Sequence, residues 1–212
     1  MTFGETYREL LDLADSSDIS SSQYAKNAVN RAITWTLNQL DFALNETSAD
    51  IAYTTETQAI PSDCLHFVSV TIGDQPLKLI SEAQFTERRR VYYEKMQYPL
   101  ANDYESTFTD GEQPLFVVGG GTYRLVPFPP AGVTLTALYQ KKFTPLTADS
   151  GTHFLLDNAS DMIILRCLCA SSFRARVSPA VAAAFPLELF NLEWDNVVKW
   201  NSSLRSNQFK IG

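Results

Sequence analysis

Residues 114–146, PLFVVGGGTYRLVPFPPAGVTLTALYQKKFTPL, carry the most regular pattern in the chain. Leu115, Phe116, Val117 and Val118 form a short apolar run. Gly119, Gly120 and Gly121 break it where residues with positive φ are easily placed, which marks a turn. Tyr123 and Leu125 then alternate with Arg124 and Val126, and Phe128 is a candidate to extend the Tyr123 series. Pro127, Pro129 and Pro130 end the pairing, because proline has no N–H to give a ladder. After Gly132, large apolar residues alternate with threonines from Val133 until Ala137 and Leu138 shift the pattern. The reading is two short strands joined by a glycine turn, a proline corner and a longer, half-buried antiparallel strand. No nucleophile, general base or metal-ligand set falls in it.

Upstream of this stretch, residues 51–57 (IAYTTET) are rich in β-branched and aromatic types and read as a strand. Ile60, Pro61, Ser62 and Asp63 make a turn, and residues 65–72 alternate again through Phe67, Val68 and Val70. Gly73 leads a tight connection into Leu77, Lys78, Leu79 and Ile80. Ser81 then caps a helix from Glu82 to Met96 with Phe85 and Tyr92 as anchors. Arg88, Arg89 and Arg90 on that helix admit a nucleic-acid reading. The solvated-face reading is preferred, because Glu87, Arg90 and Glu94 can pair at three- and four-residue spacing. Residues 98–113 show no period and hold Asp103, Glu105, Asp110 and Glu112 with Tyr104 and Phe108. They suit either a partner surface or a solvent loop.

Both chain ends have helical periodicity. Tyr7, Leu10, Leu11 and Ala14 share one face of a short helix over residues 6–14. Ser20 and Gln23 fit a capping box for a second helix, whose stripe is Val29, Ile33, Leu37, Leu40 and Leu44, widened by Ala25, Ala28 and Ala32. Trp35 lies off the stripe, either as a second buried face, the preferred reading, or as an exposed contact. Near the other end, Asp157 or Asn158 can cap a helix apolar almost all round through Met162, Ile163, Ile164, Leu165, Cys167 and Leu168. Arg174 and Arg176 sit in its last turns and Ser178-Pro179 ends it. Pro186 opens a last helix striped by Phe190, Trp194, Val197 and Leu204, with Asn201 interrupting. Together these periods predict an α+β fold. A helix bundle from residues 1–48 and 147–204 encloses an inserted antiparallel β module at 49–146, and residues 205–212 follow as a polar tail.

Composition narrows the function. The 212 residues carry a net charge of −7, which argues against gripping nucleic acid through its phosphates. No apolar run is long enough to span a bilayer, and the opening MTFGETYREL lacks the basic and apolar regions of a signal peptide. Three cysteines make no disulfide framework, so a reducing cytoplasm is expected. Cys167 and Cys169 diverge by about 200° on a helix, and Cys64 stands alone, so no metal site is expected. His66 and His153 lie in no motif and read as structural or surface residues. The glycine run lacks the lysine of a phosphate loop and leads into a strand. No cofactor and no enzymatic activity are expected, although carboxylate pairs assembled only by folding are invisible in sequence. A different class of function also fits: a carbohydrate- or cell-wall-binding β module, with or without hydrolytic activity, using residues 98–113 with Tyr92, Tyr93, Tyr98 and Tyr104.

The order of several features resembles the head-to-tail adaptor proteins of tailed bacteriophages. They are the alanine-rich second helix; Ile60-Pro61-Ser62-Asp63 before Val68-Ser69-Val70; and Gly73 with Leu77-Lys78-Leu79-Ile80-Ser81 before the Phe85 helix. The same order continues through Leu125-Val126-Pro127-Phe128-Pro129-Pro130, Leu138-Tyr139, Pro145-Leu146-Thr147, and Leu155-Leu156 before the Asp161 helix. The resemblance implies a non-enzymatic virion protein, assembled in the host cytoplasm, that self-associates as a ring, usually a dodecamer. It further implies a portal protein on one side, a tail or nozzle protein on the other, and genomic DNA passing through the channel without specific binding. Under it, Arg205, Gln208, Phe209, Lys210 and Ile211 are the portal-docking residues. Asp103, Tyr104, Glu105, Phe108 and Asp110 are the candidate tail-facing loop.

Overall fold

The computed structural model describes residues 1–14, 19–54, 57–73, 75–96, 115–126, 133–170, 179–185 and 187–208. The protein is α+β, and its chain divides into two compact units, Met1–Asn45 with Phe143–Gly212 and Glu46–Lys142.

The unit Glu46–Lys142 holds two four-stranded sheets. The first has strand order β1 (Glu46–Tyr53), β8 (Val133–Lys141), β3 (Cys64–Ile72) and β4 (Gln75–Pro76). The second runs β2 (Thr57–Ala59), β7 (Thr122–Val126), β6 (Leu115–Gly119) and β5 (Lys78–Leu79). Strand β8 is the spine of the first sheet, antiparallel to β1 and β3 on its two sides. Its alternation does not shift at Ala137 as the sequence suggested. Leu135, Ala137 and Tyr139 point into one core, and the small Ala137 lies opposite Ala49 and Val70. Strand β1 starts at Glu46, ahead of the predicted strand at 51–57, because continuous pairing with β8 overrides the low β-propensity of Glu46, Ala49 and Asp50.

The β6–β7 hairpin forms as expected. Gly120 and Gly121 have φ of 60° and 75°, the pair of positive values that a two-residue primed turn requires. The two faces of this hairpin are both covered. Phe116, Tyr123 and Leu125 join Tyr53, Val70, Leu135 and Tyr139 in one core, where Phe67 meets the rings of Phe116, Tyr123 and Tyr139 edge-on. Val117 and Val126 pack instead with Phe85 of helix α3 (Glu82–Met96). Strands β5 and β6 pair in parallel, so the module is mixed and not purely antiparallel. A strand–helix–strand path returns the chain in its original direction, which a hairpin cannot do. The proline corner at 127–130 lies outside the described residues.

Tyr123 is 2% exposed and its hydroxyl has no hydrogen-bond partner among the described residues. Burial, with a smaller contribution from Tyr53, pushes it up to about 12. Since a buried polar group without a partner costs free energy, Tyr123→Phe is expected to be neutral or stabilising by up to about 1 kcal/mol. Urea unfolding of both forms measures this; a loss of stability beyond about 1 kcal/mol would show that the hydroxyl is bonded.

The other unit packs α1 (Phe3–Leu13), α2 (Ile19–Gln39), α4 (Phe154–Asn158), α5 (Ser160–Cys169) and α7 (Leu187–Gln208) on one apolar core; α6 (Pro179–Ala184) precedes α7. Helix α1 begins earlier than predicted because Thr2 and Glu5 form a capping box. Val29, Ile33 and Leu37 are buried as expected, but α2 ends at Gln39, so Leu44 falls in a 3-10 turn and is 51% exposed. The cap of α5 is Ala159, without a side-chain bond; Asp157 and Asn158 belong to the short α4, which His153 caps. Trp35 is half-buried against the core. Arg174 and Arg176 lie outside the described residues.

Candidate interaction surfaces

Polar side chains tie distant segments of the helical unit together. Asn201, which interrupts the apolar stripe of α7 in sequence, is 2% exposed and makes the main polar contacts there. Its Oδ1 accepts from the Ala43 N–H at 3.2 Å and its Nδ2 donates to the Asp41 carbonyl at 2.6 Å. Arg205 Nη2 donates to the same carbonyl at 3.1 Å. The end of α7 is thereby tied to the turn that leaves α2. Helix α7 continues to Gln208, so Arg205 and Gln208 are helical, where the sequence pattern places them in a tail. Phe209, Lys210 and Ile211 lie outside the described residues.

A second anchor is Asp149, which no sequence pattern singles out. Its carboxylate accepts from Tyr7 Oη at 2.8 Å, Arg8 Nη2 at 2.7 Å and Lys26 Nζ at 3.0 Å. The hydrogen bond from Lys26, then that from Tyr7, hold its carboxyl below the usual carboxylate range. The same loop approaches α1 so closely that a Cβ on Gly4 would lie 2.9 Å from the Asp149 carbonyl oxygen. Asn30 adds a backbone-like clamp: its Nδ2 donates to the Leu146 carbonyl at 3.0 Å and its Oδ1 accepts from the Leu146 N–H at 2.9 Å. One acidic and one amide side chain thus fix the segment returning from β8. Nothing in their local sequence distinguishes them from ordinary polar surface residues.

His153 closes this segment. Its ring packs between Phe143 and Phe154, and Nδ1 accepts from the Leu155 N–H at 3.2 Å. Burial pushes it down to about 4, against a smaller opposing pull from Asp157. Between about pH 6.5 and about pH 4 the unfolded chain takes up a proton that the folded state refuses. Stability is therefore expected to fall as pH drops through that window and to be fully present above it. Asn is an equally good cap, so His153→Asn should flatten this dependence, read as urea midpoints at about pH 7.5 and about pH 5. An unchanged slope would assign the pH response to other groups.

On α3, Arg88 and Arg90 are exposed and Arg89 is half-buried. Arg90 pairs with Glu87 at 2.8 Å, and this partner holds the Glu87 carboxyl low. Ser81 caps the helix as predicted, its Oγ accepting from the Gln84 N–H at 3.3 Å. Beside it lies an open hollow of about 490 Å³ lined by Lys78, Ile80, Ala83, Gln84, Glu87 and Arg88, with no nucleophile–base arrangement. Arg124 pairs with Glu82 and lies over the Phe85 ring at 4.6 Å.

Among the described residues no group of His, Cys, Asp and Glu could hold a metal ion, and no helix is long and apolar enough to cross a membrane. Cys64 and Cys167 are buried, and burial pushes both thiols up. The candidate loop residues Asp103, Tyr104, Glu105, Phe108 and Asp110 lie outside the described residues, as do Tyr98 and the side chains of Tyr92 and Tyr93.

No curated protein matches the sequence. A family model described as SU10 adaptor protein matches residues 1–202, which takes in most of both compact units. The chain belongs to the SU10 adaptor protein family, consistent with a bacteriophage head-to-tail adaptor.

Proposed function

We propose that this protein is the structural adaptor that joins the portal of a tailed bacteriophage to its tail. The observation that carries this reading is the family match over residues 1–202. In the architecture we infer, helices from both chain ends form a bundle and the β module is inserted between them. Copies of the chain assemble as a ring, a dodecamer, whose channel passes genomic DNA. A net charge of −7 supports such a conduit, because a channel that must let DNA slide should not neutralise its phosphates.

In this reading Gln208, Phe209, Lys210 and Ile211 dock on the portal and Arg205 roots them, since its bond to Asp41 fixes the last turns of α7. Asp103, Tyr104, Glu105, Phe108 and Asp110 are assigned to contact with the tail. The protein would act without catalysis, cofactor or membrane, as a virion component.

Co-sedimentation with portal rings tests the assignment. The full chain is expected to sediment with them, and a chain lacking residues 208–212 is expected to keep its fold by circular dichroism but lose most of that association. Equal sedimentation of both forms would place docking on another surface. Failure of the full chain to bind would count against the adaptor role itself.

A further inference from the structure

The helical unit carries a cationic, aromatic face that its own fold leaves unsatisfied. The Arg166 guanidinium of α5 lies over the Trp35 ring of α2 at 4.3 Å and reaches the Phe190 ring of α7 at 6.0 Å. Trp194 completes the group, with its ring 5.3 Å from Trp35 and 6.4 Å from Phe190. Trp35, Trp194 and Arg166 are only half-buried, and Arg31, one helical turn before Trp35, is exposed. Among the described residues neither Arg31 nor Arg166 has a carboxylate partner, and the buried Arg166 Nε has no acceptor. In a chain of net charge −7, arginines without a carboxylate partner beside half-buried tryptophans are unexpected. Trp and Arg are also the residue types that dominate binding hot spots.

We propose that Arg31, Trp35, Arg166 and Trp194 form a docking face for an acidic, aromatic segment of a second copy of this chain. The case for that occupant is charge complementarity. Residues 97–114, QYPLANDYESTFTDGEQP, hold Asp103, Glu105, Asp110 and Glu112 with Tyr98, Tyr104 and Phe108, and contain no lysine, arginine or histidine. Arg–carboxylate pairing would satisfy both arginines, and the aromatic side chains would extend the tryptophan stack. The inference rests on the self-association proposed above and names its surface. It also gives this acidic segment a role toward a neighbouring copy in addition to any toward the tail.

The test is a titration of the full-length protein with a synthetic peptide of residues 97–114, followed by tryptophan fluorescence. The receptor is used both as wild type and with its own Asp103, Glu105, Asp110 and Glu112 changed to amides, so that self-occupancy cannot mask binding. The peptide is expected to bind saturably and more weakly as salt rises from about 50 to about 300 mM. Binding should be about tenfold weaker for R31Q/R166Q, and about threefold weaker for R31Q alone, an exposed site that leaves the fold intact. A peptide with its four carboxylates amidated should not bind. No binding by either receptor, equal binding by R31Q and wild type, or equal binding of the amidated peptide would overturn the proposal. So would displacement by duplex DNA, which would assign the face to nucleic acid. Any of these results, with portal co-sedimentation intact, would leave the adaptor reading standing without this contact.

Discussion

Leu135→Ala is expected to lower stability by about 2–5 kcal/mol, the range for large-to-small changes in a packed core. Leu135 is fully buried at the centre of β8, between Ile51 on β1 and Ile72 on β3, and faces the core built by Phe116, Tyr123 and Leu125 of the second sheet. Strands on both sides hold β8 in place, so the vacated volume cannot close without disturbing two ladders. Leu135→Met, which keeps the volume, should cost less than about 1.5 kcal/mol. Thr134→Ala, on the exposed face one residue away, should change stability by no more than about 0.5 kcal/mol. Urea unfolding of the three variants measures the alternation directly. A loss below about 1 kcal/mol for Leu135→Ala would show that the two sheets do not share a tight core.

Asn201→Ala is the second large effect, expected at about 2–3 kcal/mol. The substitution leaves the Ala43 N–H buried without the acceptor it now has and removes one donor to the Asp41 carbonyl, while the bond from Arg205 stays. The turn it holds is packed as well, with the Phe42 ring 5.5 Å from Phe154 and 6.3 Å from Trp200. Asn201→Leu should not recover the loss, because an apolar side chain cannot satisfy Ala43. A leucine variant as stable as wild type in urea would mean that shape, not hydrogen bonding, matters at this position.

These two residues also mark how far the sequence alone reaches. The β8 alternation and the glycine turn are local patterns, so the spine strand and the β6–β7 hairpin are legible in the residues themselves. The apparent shift at Ala137 is not a shift, because a small residue can hold a core position when close backbones face it. Asn201 looks like a flaw in an apolar stripe for the converse reason: its role depends on Ala43 and Asp41, which are distant in sequence. Asp149 escapes notice on the same ground, since Tyr7, Arg8 and Lys26 meet it only through folding. The start of β1 and the parallel β5–β6 pair likewise depend on partners far along the chain. The candidate docking residues are suggested by family resemblance, and no local chemistry singles them out.

The polar side chains of this protein hold its own returning segments in place. Asn30, Asp149, Asn201 and Arg205 each bridge segments far apart in the chain. The adaptor role is tested most directly by a cryo-electron microscopy reconstruction of the phage particle that encodes this chain. The expected result is a ring of density between portal and tail into which the helical and β units both fit. Particles with no density for this chain at the portal–tail junction would contradict that role.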